Sequence, residues 1–108
     1  MTNANVEQMV TGTDGDTLDL DGERIRIVGL DAPETRCRCP TECRLAAKAT
    51  ERMRELVSNQ GVTIERTGRD KYRRTLAIVR LRGQDVATIM IREGLARPYK
   101  GEKRKPWC

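Results

Sequence analysis

The chain contains no histidine, which removes the side chain that most often acts as a general base or binds a transition metal. Acid–base chemistry would therefore depend on carboxylates, tyrosine, lysine, thiols or a bound ion. There is no phenylalanine either, so the core is expected to be aliphatic. The few aromatic residues, Tyr72, Tyr99 and Trp107, become candidates for contact surfaces.

Long hydrophobic runs are also missing. Without 18 consecutive apolar residues, a transmembrane helix is excluded. Residues 1–8 lack the basic and apolar regions of a signal peptide, so none is expected. The 108 residues predict a single domain and a monomer without membrane contact, with a flexible N-terminus at 1–8 and a basic tail at 100–108.

The charge of the chain is unevenly distributed. Lysine and arginine total 21 against 16 acidic residues, a net charge of +5 that favours a polyanionic partner such as DNA or RNA. Basic residues concentrate at 66–74 and 97–105, whereas two acidic motifs, residues 14–17 and 31–34, lie in the first third. A negative pocket within a positive surround would hold a cation and attract phosphate.

Hydrophobic periodicity predicts an α+β fold. Residues 9–30 are typical of a β-meander with turns at Asp14-Gly15 and Asp21-Gly22, and the alternation at 24–28 places Arg26 opposite the core face. A helix is predicted at 41–58 with Thr41 as N-cap, then strands at 62–66 and 75–81 and a helix capped by Asp85. This order fits a five-stranded barrel of the oligonucleotide-binding kind, with about two helices.

Asp16 and Asp31 offer the hard oxygen ligands that Ca²⁺ and Mg²⁺ prefer. Each acidic motif alone is also a common turn sequence. Their joint occurrence on either side of Arg26 is the informative feature, and a second basic motif follows at 70–74.

Four motifs in order resemble the staphylococcal nuclease family. They are D-G-D-T at 14–17, I-R-I-V-G-L-D-A-P-E-T at 25–35, D-K-Y-R-R-T-L-A at 70–77 and I-R-E-G-L-A at 91–96. The resemblance covers most of the chain. It implies a nuclease-like OB-fold and a calcium-dependent phosphodiester hydrolase that acts on single-stranded or frayed DNA and RNA and leaves 3′-phosphates.

The resemblance also implies roles for individual residues. Those matching the metal ligands are Asp16, Asp31 and, through its backbone carbonyl, Ala32. The catalytic residues implied are Glu34 as general base and Arg26 and Arg74 as the phosphate clamp. Residues that would contact substrate are Lys71, Tyr72 and Tyr99, although a packed tail residue is an equal alternative for Tyr99.

One departure lies in the second basic motif. The family usually has Tyr-Gly-Arg where this chain has Tyr72-Arg73-Arg74, so a position that favours positive φ holds an arginine, at a cost of roughly 1 kcal/mol. Spacing favours Arg74 as the phosphate ligand. Arg73 would either compete for that role or add to the basic surround.

The four cysteines, Cys37, Cys39, Cys43 and Cys108, suggest a bridge from the tail to the barrel. Cys39 or Cys43 is the expected partner of Cys108. A zinc site with four thiolates and free thiols are the alternatives, because the count suits zinc but the spacing is unusual. If the cysteines are bridged, a secreted or periplasmic location follows.

Two other function classes compete with the enzyme. A domain of this fold could bind nucleic acid or protein with little or no catalysis, but such a copy should have lost ligands or the base. A structural metal protein built on the four thiols would leave both acidic motifs without a role. The full set of matching residues favours the enzyme.

Overall fold

An antiparallel meander forms the first half of the sheet. In this computed structural model, which describes residues 10–108 and side chains from Asp14 onward, β1 (Val10–Asp14), β2 (Thr17–Leu20) and β3 (Glu23–Ile27) pair in sequence order. The β2–β3 turn has positive φ at Asp21 and Gly22, as a two-residue hairpin of type I′ requires. The flexible N-terminus predicted for residues 1–8 lies outside the described residues.

The second half of the sheet joins the meander through a parallel pair. β5 (Val62–Arg69) and β6 (Thr75–Leu81) form a hairpin, and β6 pairs in parallel with β3, with Arg26 opposite Leu76. The order is β1-β2-β3-β6-β5, and the short β7 (Gln84–Asp85) pairs with β6. The predicted α+β class and the five main strands are therefore confirmed.

The sheet is open over residues 10–108, with β1 and β5 at its edges. The end of β5, residues 65–69, is exposed and polar, so it has little apolar surface to press against β1. The strand predicted at 62–66 extends to Arg69 in the structure, and the loop before β6 is shorter than predicted.

Two helices cover the core face of the sheet. They are α1 (Pro40–Val57) and α2 (Val86–Arg92). Asp85 caps α2 by accepting a hydrogen bond from the Ala87 N–H, as predicted. The prediction of Thr41 as the cap of α1 is wrong, because Cys39 is the extended N-cap and Pro40 opens the helix, where its fixed φ is favourable.

The core is aliphatic, as the composition predicts. Sheet and helix side chains meet in one cluster that includes Leu18, Ile25, Ile27, Met53, Val57, Val79, Val86 and Met90. Within the described part of the chain, neither helix is long and apolar enough to cross a membrane.

A small second sheet brings the end of the chain beside the acidic motif. β4 (Leu30–Asp31) pairs antiparallel with β8 (Arg97–Pro98), with Asp31 opposite Arg97. The basic tail therefore starts next to Asp31.

Glu23 connects three strands and gives a pH-dependent contribution to stability. Its carboxylate accepts two hydrogen bonds from the Arg66 guanidinium and one from the Thr75 hydroxyl. The Arg66 hydrogen bonds lower the pKa of Glu23 from 4.5 to about 2. Folding therefore favours the charged form, so this stabilisation is complete above pH 4.5 and is lost as the pH falls towards 2.

We expect Glu23→Gln to lower the free energy of unfolding by about 1 kcal/mol at pH 7, because both partners are at least one-third exposed and solvent screens the pair. Urea denaturation from pH 7 to pH 3 should show the difference shrinking below pH 4.5. Glu65→Gln, which breaks the more exposed pair with Arg80, is the control and should cost less. A Glu23→Gln deficit that does not change with pH would contradict this.

Candidate active site

The acidic turn between β1 and β2 packs tightly against its surroundings. A Cβ on Gly15 would lie 2.9 Å from the Ala49 Cβ of α1 and 3.0 Å from the Ala32 Cβ, so only glycine permits this approach. On one side of Gly15, Asp14 accepts hydrogen bonds from the N–H and hydroxyl of Thr35. The turn is thereby fixed against the second acidic motif.

Asp16 is buried and is held by three groups. Its Oδ2 accepts the Ala32 N–H at 2.9 Å, and its Oδ1 accepts the Thr17 hydroxyl at 3.0 Å. The Arg26 Nη2 lies 3.6 Å from Oδ2 as the buried counter-charge. These contacts join the two acidic motifs through one carboxylate.

Asp31 is only 2% exposed, at the end of β4. Burial raises the pKa of its carboxyl above the usual value, the Arg104 guanidinium opposes that rise, and the nearby Asp16 carboxylate adds to it. The Arg104 Nε lies 2.7 Å from Oδ1, although the N–H is not aligned for a hydrogen bond. The site thus concentrates negative charge in a place that water barely reaches.

Glu34 follows Asp31 on the same loop but is partly exposed. Its Oε2 lies 3.1 Å from the Arg104 Nη1. Glu42 of α1 fixes this loop, because its buried carboxylate accepts hydrogen bonds from the N–H groups of Glu34 and Arg38. Sequence reasoning missed this supporting role of Glu42.

Arg26 lies opposite the core face of β3, as the alternation predicts, yet only 8% of it is exposed. Its Nη1 donates to the carbonyls of Ile27 and Leu30, which fixes the guanidinium between β3 and β4. The Tyr99 ring lies 5.5 Å from the Arg26 guanidinium carbon. A small cavity of about 190 Å³ opens beside this pair.

Arg74 immediately precedes β6 and is oriented by the turn before it. Asp70 Oδ1 accepts the N–H groups of Tyr72 and Arg74, and Oδ2 accepts the Arg74 Nε at 2.7 Å. Because side chains alternate along a strand, Arg74 shares the face of Leu76, which pairs with Arg26. The sheet therefore places the two predicted clamp residues on one face.

The predicted substrate residues divide into two groups. Tyr72 is 67% exposed, and Lys71 and Arg74 lie 5.3 Å and 5.4 Å from the centre of its ring. Tyr99 is instead half-buried against Arg26. Tyr99 is thus both packed and part of the site.

Arg104 is a second site residue, besides Glu42, that sequence reasoning did not single out. Besides Asp31 and Glu34, it reaches the Ala32 carbonyl, 3.3 Å from its Nη2. The only sequence signal was a basic tail with a cysteine at its end.

The cysteines pair as Cys37–Cys43 and Cys39–Cys108. The second pair is one of the two expected links from tail to barrel. Ligand atoms of Cys39, Glu42 and Cys108 also lie within 4.8 Å of one another, which is a different set from the four thiolates of the zinc alternative. While these sulfurs are bonded they are not thiolates and would bind zinc poorly.

The oxygen atoms of Asp16, Asp31 and Ala32 fit a hard divalent cation. They combine two carboxylates and a carbonyl, the donor types of calcium and magnesium sites. A protein cation, Arg104, already lies at Asp31 and Ala32, which shows that the position attracts positive charge. This group contains no sulfur or nitrogen ligand, which softer metal ions prefer.

Arg73 has a φ of 67°, which confirms that its position favours positive φ. Because its side chain has no hydrogen bond or ion pair among those described for residues 14–108, we expect Arg73→Gly to stabilise the fold by about 0.5 kcal/mol, the net of relieved strain and added chain entropy. Arg73→Ala, which removes the charge but keeps the strain, is the control. Thermal unfolding measures both, and equal midpoints would contradict this.

Comparisons with known proteins agree with the geometry. The staphylococcal nuclease homologue family model matches residues 24–106. A Haemophilus influenzae protein named as an uncharacterized endonuclease is 30% identical over 107 residues, which cover 94% of this chain and 57% of that protein. The thermonuclease of Staphylococcus intermedius is 41% identical over 91 residues, 78% of this chain and 54% of the relative.

The chain therefore spans little more than half the length of these relatives. The family match runs from within β3 through β8 and includes Arg26, Asp31, Glu34, Arg74 and Arg104, but it begins after the β1–β2 turn that holds Asp16. The chain belongs to the staphylococcal nuclease homologue family.

Proposed function

We propose that this chain is a calcium-dependent phosphodiester hydrolase that cleaves single-stranded or frayed DNA and RNA and leaves 3′-phosphates. The observation that supports it best is the convergence of Asp31, the Ala32 carbonyl and Glu34 on one cation position. Nucleic-acid hydrolysis agrees with the names of the two relatives, an endonuclease and a thermonuclease.

The proposed metal ligands are Asp16, Asp31 and the Ala32 carbonyl. Calcium bound there would act as a Lewis acid on the phosphate. The Ala32 N–H and the Thr17 hydroxyl fix the Asp16 carboxylate, so its oxygens are oriented before any ion arrives.

Glu34 is the proposed general base. Its partly exposed carboxylate can reach solvent, and the Glu42 hydrogen bond to its backbone holds the loop in place. Glu34 would take the proton of a water that attacks phosphorus, the P–O5′ bond would break, the 5′ oxygen would leave as a hydroxyl after taking a proton from solvent, and the phosphate would stay on the 3′ oxygen.

Arg26 and Arg74 are the proposed phosphate clamp. Planar guanidiniums donate paired hydrogen bonds to phosphate oxygens, and both are held by fixed partners, the Ile27 and Leu30 carbonyls and Asp70. Tyr72, exposed between Lys71 and Arg74, is placed to stack on a base with little sequence preference.

A catalytically weak binding module is the second candidate. Arg104 supports it, because its guanidinium already pairs with the proposed base and a proposed metal ligand. Such a module would bind single-stranded nucleic acid without cleaving it.

We expect Glu34→Gln to reduce turnover on single-stranded DNA by about 10² to 10⁴-fold, because the proton acceptor is lost. Arg26→Lys and Arg74→Lys should each reduce it by about 10²-fold, because lysine cannot donate the paired bonds. Controls are Glu51→Gln and Arg92→Lys, both exposed and outside the site. Near-normal rates in all three site variants, with thermal unfolding unchanged, would refute the proposed residues.

Metal removal tests the ion. A chelator should abolish cleavage of DNA and RNA, and added Ca²⁺ should restore it, because hard oxygen donors form the site. Asp31→Asn should need more Ca²⁺ for half-maximal rate, whereas Asp19→Asn, away from the site, should not. End-group analysis should find 3′-phosphates. Cleavage that persists in chelator would overturn the mechanism, and binding without cleavage in Ca²⁺ would favour the binding module.

A further inference from the structure

The Arg104 guanidinium lies on the oxygens that the proposed function assigns to metal and base. Its Nε lies 2.7 Å from Asp31 Oδ1, its Nη2 lies 3.3 Å from the Ala32 carbonyl, and its Nη1 lies 3.1 Å from Glu34 Oε2. Three nitrogens of one planar group thus face three acceptors of the site. This exceeds a single surface ion pair, which usually contributes little.

The tail that presents Arg104 is fixed at both ends. Arg97 of β8, paired with Asp31, donates to the carbonyls of Lys105 and Pro106 and stacks on Trp107 at 3.6 Å. Beyond that, Cys108 is bonded to Cys39 at the start of α1. Fixing a segment at both ends raises the effective concentration of any group between the ends.

A divalent cation and a guanidinium cannot occupy the same oxygens. Both are positive, and Asp31 is 2% exposed, so little solvent separates rival partners there. Metal binding must therefore release Arg104. The apparent affinity for metal is then the intrinsic affinity multiplied by the fraction of molecules in which Arg104 is released from the site.

We propose that Arg104 is a built-in competitor for the divalent cation, held at the site by the Cys39–Cys108 link. The proposal rests on the proposed function, because it takes Asp16, Asp31 and Ala32 as the metal ligands. It adds that the oxidised tail weakens metal binding, so that reduction of the link by a dithiol, which is oxidised to its own disulfide and leaves Cys39 and Cys108 as thiols, makes the site bind metal more tightly.

Calcium affinity, measured by isothermal titration calorimetry, tests the competition without an activity assay. We expect Arg104→Gln to bind Ca²⁺ roughly tenfold more tightly than the wild type. Lys103→Gln is the matched control, because it removes the same charge from the neighbouring tail position. An Arg104→Gln affinity equal to or weaker than that of Lys103→Gln would overturn the proposal.

The fluorescence of Trp107 provides an independent measurement of the displacement of Arg104 by Ca²⁺. Trp107 is the one tryptophan of the chain and lies three positions after Arg104. Ca²⁺ should change its fluorescence in the wild type as Arg104 leaves the site. Arg104→Gln should bind Ca²⁺ with little such change, and an equal change in both proteins would contradict displacement.

The disulfide is tested by the double variant Cys39→Ser/Cys108→Ser, which leaves the Cys37–Cys43 pair intact. Its calcium affinity should move towards that of Arg104→Gln, and a reductant should shift the wild type in the same direction. If Ca²⁺ binds all variants equally, the competitor is refuted while the calcium site stands. If none of the proteins binds Ca²⁺, the calcium site itself is refuted, and the competitor with it.

Discussion

The structure depends on burying two carboxylates next to each other. Asp16 and Asp31 lie under the edge of an aliphatic core, where an unpaired charge would cost several kcal/mol. The Arg26 guanidinium, the Ala32 N–H and the Thr17 hydroxyl offset that cost at Asp16, and the Arg104 guanidinium offsets it at Asp31. Gly15, the pairing of β4 with β8 and the Arg104 guanidinium all lie beside these two carboxylates.

Charge held in this way would also support the chemistry proposed for the site. Fixed dipoles and guanidiniums around a poorly hydrated position interact more strongly with an ion or phosphate than exposed side chains would. The same arrangement explains why the Arg104 guanidinium lies beside the Asp31 carboxylate. Stability and ligand affinity therefore draw on the same few contacts, and each change at Asp31 alters both.

The fold could be predicted because its signals are local, whereas the roles of the candidate site residues came from the family resemblance and stay predictions. Alternation placed Arg26 opposite Ile25 and Ile27, and the Asp85 cap marked the start of α2. Arg104 could not be predicted, because the tail has no periodicity and its position depends on pairing with β4 and on the link to Cys39. The N-cap of α1 was misplaced because Pro40 can begin a helix that Thr41 also suits.

The parallel pairing of β3 with β6 has a further consequence for how the site is assembled. It places Arg26 and Arg74, which are far apart in sequence, on one face of the sheet, and the intervening chain includes α1 and β5. Neither half of the chain contains both guanidiniums. Fraying at the edges of the sheet would not separate the two arginines, because β3 and β6 are interior strands of the sheet. The geometry of the pair is thus a property of the whole cooperative unit, which makes it a sensitive reporter of global unfolding.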